Sequence, residues 1–254
     1  MRFPSPKPMS EQMIREKALG LFWDYVREVG EGYILRNGVN FDDMYDAIIY
    51  PRYEISLDTK IDLGYNENDE EILGQFIPED NIARISERLV INNDPRRIFT
   101  TVHEVVGHGV LHGNFLRETK KDYPALYSTD KSMKFENTFE WQANTMAKNF
   151  ICPEGLVLAL YWKVFGTRRK IPYVGPRRYC LNVNGKGCSV WAASPYQLAW
   201  EITKRIKHYF WGLSKESITY QVLNVAVEAN GYSNRDFGYS RKTESIGGLL
   251  SNMR

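Results

Sequence analysis

Apolar residues recur at helical spacing from Ile14 through Ala18, Leu21, Phe22 and Tyr25 to Val29, which predicts an amphipathic helix over 11–29 capped by Ser10 and stopped by Gly30. Residues 38–65 mix Asn, Asp, Gly and Pro with short apolar pieces, so irregular structure with one strand near 53–57 is expected there. Two short apolar runs, 72–77 and 82–85, flank Pro78-Glu79-Asp80-Asn81 and predict a pair of strands around a four-residue turn. The next helix opens with Asp94 as N-cap and Pro95 in its first turn, and Gly113 is its expected stop. Helices over 135–150, closed by Pro153, and over 154–165 follow. After Pro172, Gly175 and Pro176, residues 179–183 and 187–191 read as a hairpin through Asn184-Gly185. The last two helices are expected at 194–211 and 215–229, the second capped by Ser214 and stopped by Asn230-Gly231, before a polar tail that is expected to be loosely ordered. This order predicts an α+β fold with a small mixed sheet and a mainly helical C-terminal part. The expected division is 1–165 and 166–254, with the basic hairpin and last helices packed on the core.

Composition narrows the class. The chain has 254 residues, 43% hydrophobic and 25% charged with a net charge of +2, enough for a sizeable core and too apolar for a disordered polyelectrolyte. Its longest apolar run, 156–162, is far shorter than the roughly 18 residues of a membrane span, so no membrane partner is expected. The first residues lack an apolar secretory core, and three cysteines are too few for a disulfide framework; both lead to the expectation of a reducing, cytoplasmic setting. Charge is distributed unevenly. Residues 58–80 hold eight acids against Lys60 alone, whereas 155–200 hold seven cations and no acid. Such asymmetry steers partners or simply marks solvated faces.

Chemistry concentrates in Thr101-Val102-His103-Glu104-Val105-Val106-Gly107-His108-Gly109-Val110-Leu111-His112, which carries three of the four histidines. A His-Glu-x-x-His zinc motif places two imidazoles one turn apart, with the Glu activating water. Here the separation is five positions, about 140° around an ideal helix, where four positions give about 40°. Three readings follow. A π-bulge eased by Gly107 lets His103 and His108 converge; an undistorted helix presents Glu104, His108 and His112 instead, a set that also suits iron; or the histidines only pack or face solvent. A third protein ligand is available downstream, where Glu136, Glu140 and Asn144 share one helical face. Glu140 is the candidate ligand and Asn144 the group that orients a histidine. The alternative is a polar face opposite Phe139, Ala143 and Met146.

These residues resemble the ImmA/IrrE family of metallopeptidases. The likeness lies in Arg97-Ile98-Phe99-Thr100, His103-Glu104, Gly107-His108 and Leu111-His112, then Glu140-Trp141-Gln142-Ala143-Asn144 and Phe150-Ile151-Cys152-Pro153. It covers roughly 72–154 well and the flanks weakly. The chain departs from the family pattern by the inserted residue, a spacing that resembles the motif of dipeptidyl peptidase III, and by Gln142 where a second Glu is common. An N-terminal helix-turn-helix is not evident.

The resemblance implies a zincin-like metallopeptidase core with Zn2+ on His103, His108 and Glu140, and Glu104 as general base. It also implies a protein or peptide substrate, a cytoplasmic transcriptional repressor or regulator. On chemical grounds the edge of the small sheet can hold an extended peptide by strand addition. His112, His208 or a Tyr are candidates to stabilise an oxyanion. Two other classes remain: a catalytically impaired module that keeps a metal for regulation or structure, and direct nucleic-acid binding by the basic, aromatic segment 163–200.

Overall fold

The computed structural model describes residues 9–94, 96–122, 133–210, 213 and 215–229. The chain forms two compact units, 1–153 with 208–214 and 154–207 with 215–254. The helix over 154–165, expected with the first part, thus groups with the hairpin and the later helices. None of the described helices is long and apolar enough to cross a membrane.

In the first unit, α1 (Glu11–Val29) begins where the Ser10 side chain accepts the Met13 amide and ends at Gly30, as its pattern predicts. Its apolar stripe, Ile14, Ala18, Leu21, Phe22 and Tyr25, is buried and faces a later helix, α6 (Met133–Ile151), whose Ala143, Met146, Ala147 and Phe150 are likewise buried. Each large side chain removed from water in this way stabilises the fold by roughly 1.5–3 kcal/mol. After α2 (Glu31–Asn37) the expectation of irregular structure fails. Residues 41–53 form one helical stretch, α3, capped by Asn40 and containing a π-turn, Tyr45–Ile49. Pro51 reads as a breaker in the sequence, but the wide turn of the π-segment immediately before it accommodates a residue that donates no amide. Phe41, Met44, Ile48 and Ile49 supply the buried face.

The sheet is mixed, as expected, with order β1-β3-β2. Strand β1 (Ser56–Ile61) lies slightly beyond its expected place and runs parallel to β3 (Ile82–Ser86), which pairs antiparallel with β2 (Gly74–Ile77) across the four-residue turn. A short helix, α4 (Glu87–Ile91), leads to α5. The N-cap is Arg96 and not the expected Asp94, which instead accepts the Arg96 amide at 2.8 Å just ahead of the helix; Pro95 lies outside the described residues. Helix α5 (97–122) passes through Gly113 instead of stopping there. Gly113 keeps helical backbone, and the Phe76 ring of the sheet lies at ordinary contact distance, 3.7 Å, from where a Cβ would stand, so this glycine does not terminate the helix.

In the second unit, α7 (Glu154–Phe165) is buried along most of its apolar length. Strand β4 (Ile171–Pro172) pairs parallel with β7 (Val227–Glu228). The hairpin of β5 (Arg177–Val183) and β6 (Lys186–Ala192) turns at Asn184 and Gly185, both at positive φ as a two-residue turn requires. Helix α8 (Pro195–Ile206), capped by Ser194, is shorter than expected and is followed by a 3-10 turn at Lys207–Tyr209. Helix α9 (Lys215–Ala226) packs on α8, with Thr219 and Thr203 hydroxyls 3.1 Å apart in the interior. The expected cap Ser214, the stop at 230–231 and the tail lie outside the described residues. Cys152, Cys180 and Cys188 are free thiols. Cys180 pairs with Ser189 and Cys188 with Leu181, so the two hairpin cysteines point to opposite faces and cannot bridge.

Candidate metal centre

The site grows out of a single distortion in α5. Its first segment, Arg97–Val102, is α-helical, the next eight residues, His103–Val110, form a π-helix, and Leu111–Asp122 are α-helical again. The wider turn absorbs the extra residue between the histidines, which is the first of the three sequence readings. Close packing at Gly107 accompanies it: a Cβ there would stand 2.7 Å from the Ala143 Cβ and 2.9 Å from its backbone. Glycine therefore lets α5 and α6 approach at the level of the cluster, and this brings Glu140, three residues before Ala143, over the two imidazoles.

The Nε2 atoms of His103 and His108 lie 3.0 Å apart, and each is 3.1 Å from one oxygen of the Glu140 carboxylate. Among the described residues, His103, His108 and Glu140 form a group with its donor atoms all within 4.8 Å of one another. Asn144 sits one turn after Glu140 and places Oδ1 3.1 Å from His103 Nδ1, so that Nδ1 donates to it and the ring is held with Nε2 facing the cluster. Two imidazole nitrogens and a carboxylate gathered in this way, with the outer nitrogen of one ring already held, could hold a metal ion. Glu136 lies on α6, but its side chain is outside the described residues.

Glu104 enters from the same helix and is almost wholly buried, with Oε1 4.0 Å from His103 Nε2. The edge strand holds it. The Ser86 amide donates to the Leu73 carbonyl, so along this antiparallel pair Gly74 and Phe76 face outward from β3. The Phe76 amide donates to the Glu104 carboxylate. A Cβ on residue 74 would come within 2.7 Å of Glu104 Cγ and 3.0 Å of Oε1, so only glycine lets the strand lie against this side chain. Neither Gly74 nor Phe76 was among the sequence candidates; a glycine inside a strand is a signal of close backbone approach.

Electrostatics follow the geometry. Hydrogen bonds from His103 and His108 hold the Glu140 carboxyl well below the usual range. Burial pulls the His103 imidazole down, but its bond to Glu140 and the charges of Glu104 and Glu140 outweigh this and raise it. Burial pushes the Glu104 carboxyl up, against the opposing pull of His108 and His103.

His112 does not join the cluster. The alternative set of Glu104, His108 and His112 requires an unbroken α-helix, and the π-segment turns His112 toward α6, where its Nε2 lies 2.9 Å from the Gln142 Oε1 in the interior. Its ring packs edge-on against Phe139, with centroids 4.6 Å apart. This burial also removes His112 as an oxyanion donor, and the His208 ring lies against Tyr209 in the 3-10 turn, tilted by 38°. Burial pushes the His112 imidazole down to about 4 from its ordinary 6.5. Between those values the unfolded chain binds a proton that the folded chain resists, so stability is retained above pH 6.5 and falls toward pH 4 by about 3 kcal/mol from this group. Urea midpoints of metal-free protein should show that loss, and His112→Leu should flatten it; an unchanged pH slope in the variant would assign the acid sensitivity elsewhere.

Comparisons with protein-family models, with curated proteins and with solved structures returned no match.

Proposed function

We propose that this protein is a zinc-dependent endopeptidase with a zincin-like core, acting on a cytoplasmic protein such as a transcriptional repressor. The convergence of His103, His108 and Glu140 beside the buried Glu104 carries this reading. The likeness of residues 97–112 and 140–153 to the ImmA/IrrE pattern supports the substrate class. Two imidazoles and one carboxylate favour zinc over a hard cation, and leave a fourth position for water or substrate.

His103, His108 and Glu140 would hold the ion, which when bound polarises a carbonyl and acidifies a water. Asn144 orients His103 through Nδ1. Glu104 accepts a proton at its free carboxylate oxygen and returns it to the leaving amine, with the Phe76 amide fixing the carboxylate while the proton moves. The outward edge of β2 at Gly74 runs beside that carboxylate and offers backbone groups to an extended peptide, so strand addition would bring a scissile bond past Glu104.

The test is hydrolysis of an unfolded protein substrate by purified, zinc-loaded enzyme, before and after chelation. Cleavage that stops on chelation and returns with about one equivalent of zinc is expected. Zinc uptake without turnover on any extended substrate would leave a metal-holding regulatory module in its place.

A further inference from the structure

The second unit carries a surface that the proposed peptidase chemistry does not use. The β5–β6 hairpin buries one face through Tyr179, Leu181, Val190 and Ala192. Its other face is exposed and carries Arg178 directly opposite Trp191, Cys180 opposite Ser189, and Asn182 opposite Gly187. Trp191 is 54% exposed, an unusual cost for so large a ring on a small hairpin. Cross-strand partners lie roughly 4.5–5.5 Å apart at Cβ, so the Arg178 guanidinium and the Trp191 ring form one patch.

The same unit repeats the combination. Trp162 is 48% exposed, with the Arg168 guanidinium 3.9 Å from its ring centre. Residues 155–200 contain no acid, and among the described residues Arg169, Lys170, Arg178 and Lys186 enter no ion pair. Charge therefore selects an anionic partner. The outward hairpin face has no aliphatic side chain, whereas the centre of a protein interface is normally apolar. A flat strip of small polar residues ending in a ring and a guanidinium fits a chain of phosphates and planar bases instead.

We propose that this hairpin face binds single-stranded nucleic acid, with a base stacked on Trp191, a flanking phosphate held by Arg178, and the other unpaired cations of the unit adding to its positive field. A stacked duplex offers no free base face to Trp191, so the single strand is preferred. Stacking and phosphate contact take no account of the sugar, and DNA and RNA strands bind alike.

Fluorescence anisotropy with labelled oligonucleotides of about twelve nucleotides tests this on the full chain. The single strand should bind more tightly than the matching duplex, and affinity should fall about seven-fold or more between 50 and 200 mM salt, as release of counterions from two or more phosphates of a single strand requires. Trp191→Ala should weaken binding about ten-fold and remove part of the tryptophan quenching on titration. Arg178→Glu should weaken it comparably at low salt and less at high salt. Both side chains are exposed, and circular dichroism melts should match the parent. Absence of binding at 50 mM salt, equal affinity for duplex, or wild-type affinity in both variants would overturn the proposal. Poly-glutamate displacing the strand, with Trp191→Ala without effect, would also overturn it and turn the cations toward an acidic protein.

Discussion

Glu104→Gln is expected to keep its metal and to lose peptide hydrolysis by about 10²–10⁴-fold in kcat, the usual contribution of a positioned general base. The substitution is close to isosteric. A Gln side chain still accepts the Phe76 amide and still lies under Gly74, where a larger backbone neighbour would meet it at 2.7 Å. What disappears is the oxygen that takes a proton. Elemental analysis should therefore give the same metal content as the parent, while cleavage of an unfolded protein falls to the chelated level. Undiminished turnover would show that another group, with Glu140 the nearest carboxylate, moves the proton.

Loss of a ligand should act in the opposite order. His103→Ala, His108→Ala and Glu140→Ala each remove one of three donors that meet within 4.8 Å, and metal affinity should drop by at least about 10²-fold, with activity lost as a consequence. Asn144→Ala removes only the group that orients His103 and should weaken the metal by about ten-fold. His112→Asn should keep the metal, because its imidazole is engaged with Gln142. Equilibrium dialysis against a chromophoric chelator separates these grades. If His112→Asn releases metal as completely as His103→Ala, the ligand set has been misassigned.

Much of this architecture is legible in local pattern. Helix α1, the β2–β3 and β5–β6 hairpins and the helices over 133–151 and 154–165 follow from periodicity, caps and turn residues, which act within a few positions. Residues 38–65 were misread because Pro51 and the nearby Asn and Asp look like breakers, while the π-turn that accommodates them depends on burial of Phe41, Met44 and Ile48. Gly113 misleads because a glycine with ordinary helical backbone looks, in sequence, the same as one that stops a helix. In the site, the histidine spacing pointed to a wide turn, and the four-residue step from Glu140 to Asn144 to a shared face. The grip of the edge strand on Glu104 and the pairing of His112 with Gln142 join segments about thirty residues apart, and no local signal reports them.

The π-segment has a consequence for how such a sequence changes over time. Its wide turns take up one residue between His103 and His108 while the flanking α-helical segments continue on either side. Removing one residue, Val105 or Val106, would convert those turns to ordinary α-helix and the motif to His-Glu-x-x-His, with His112 still facing α6. The two spacings are then neighbours separated by a single codon, reachable without passing through a broken site, and a mismatch of one in such a motif is weak ground for setting two chains apart.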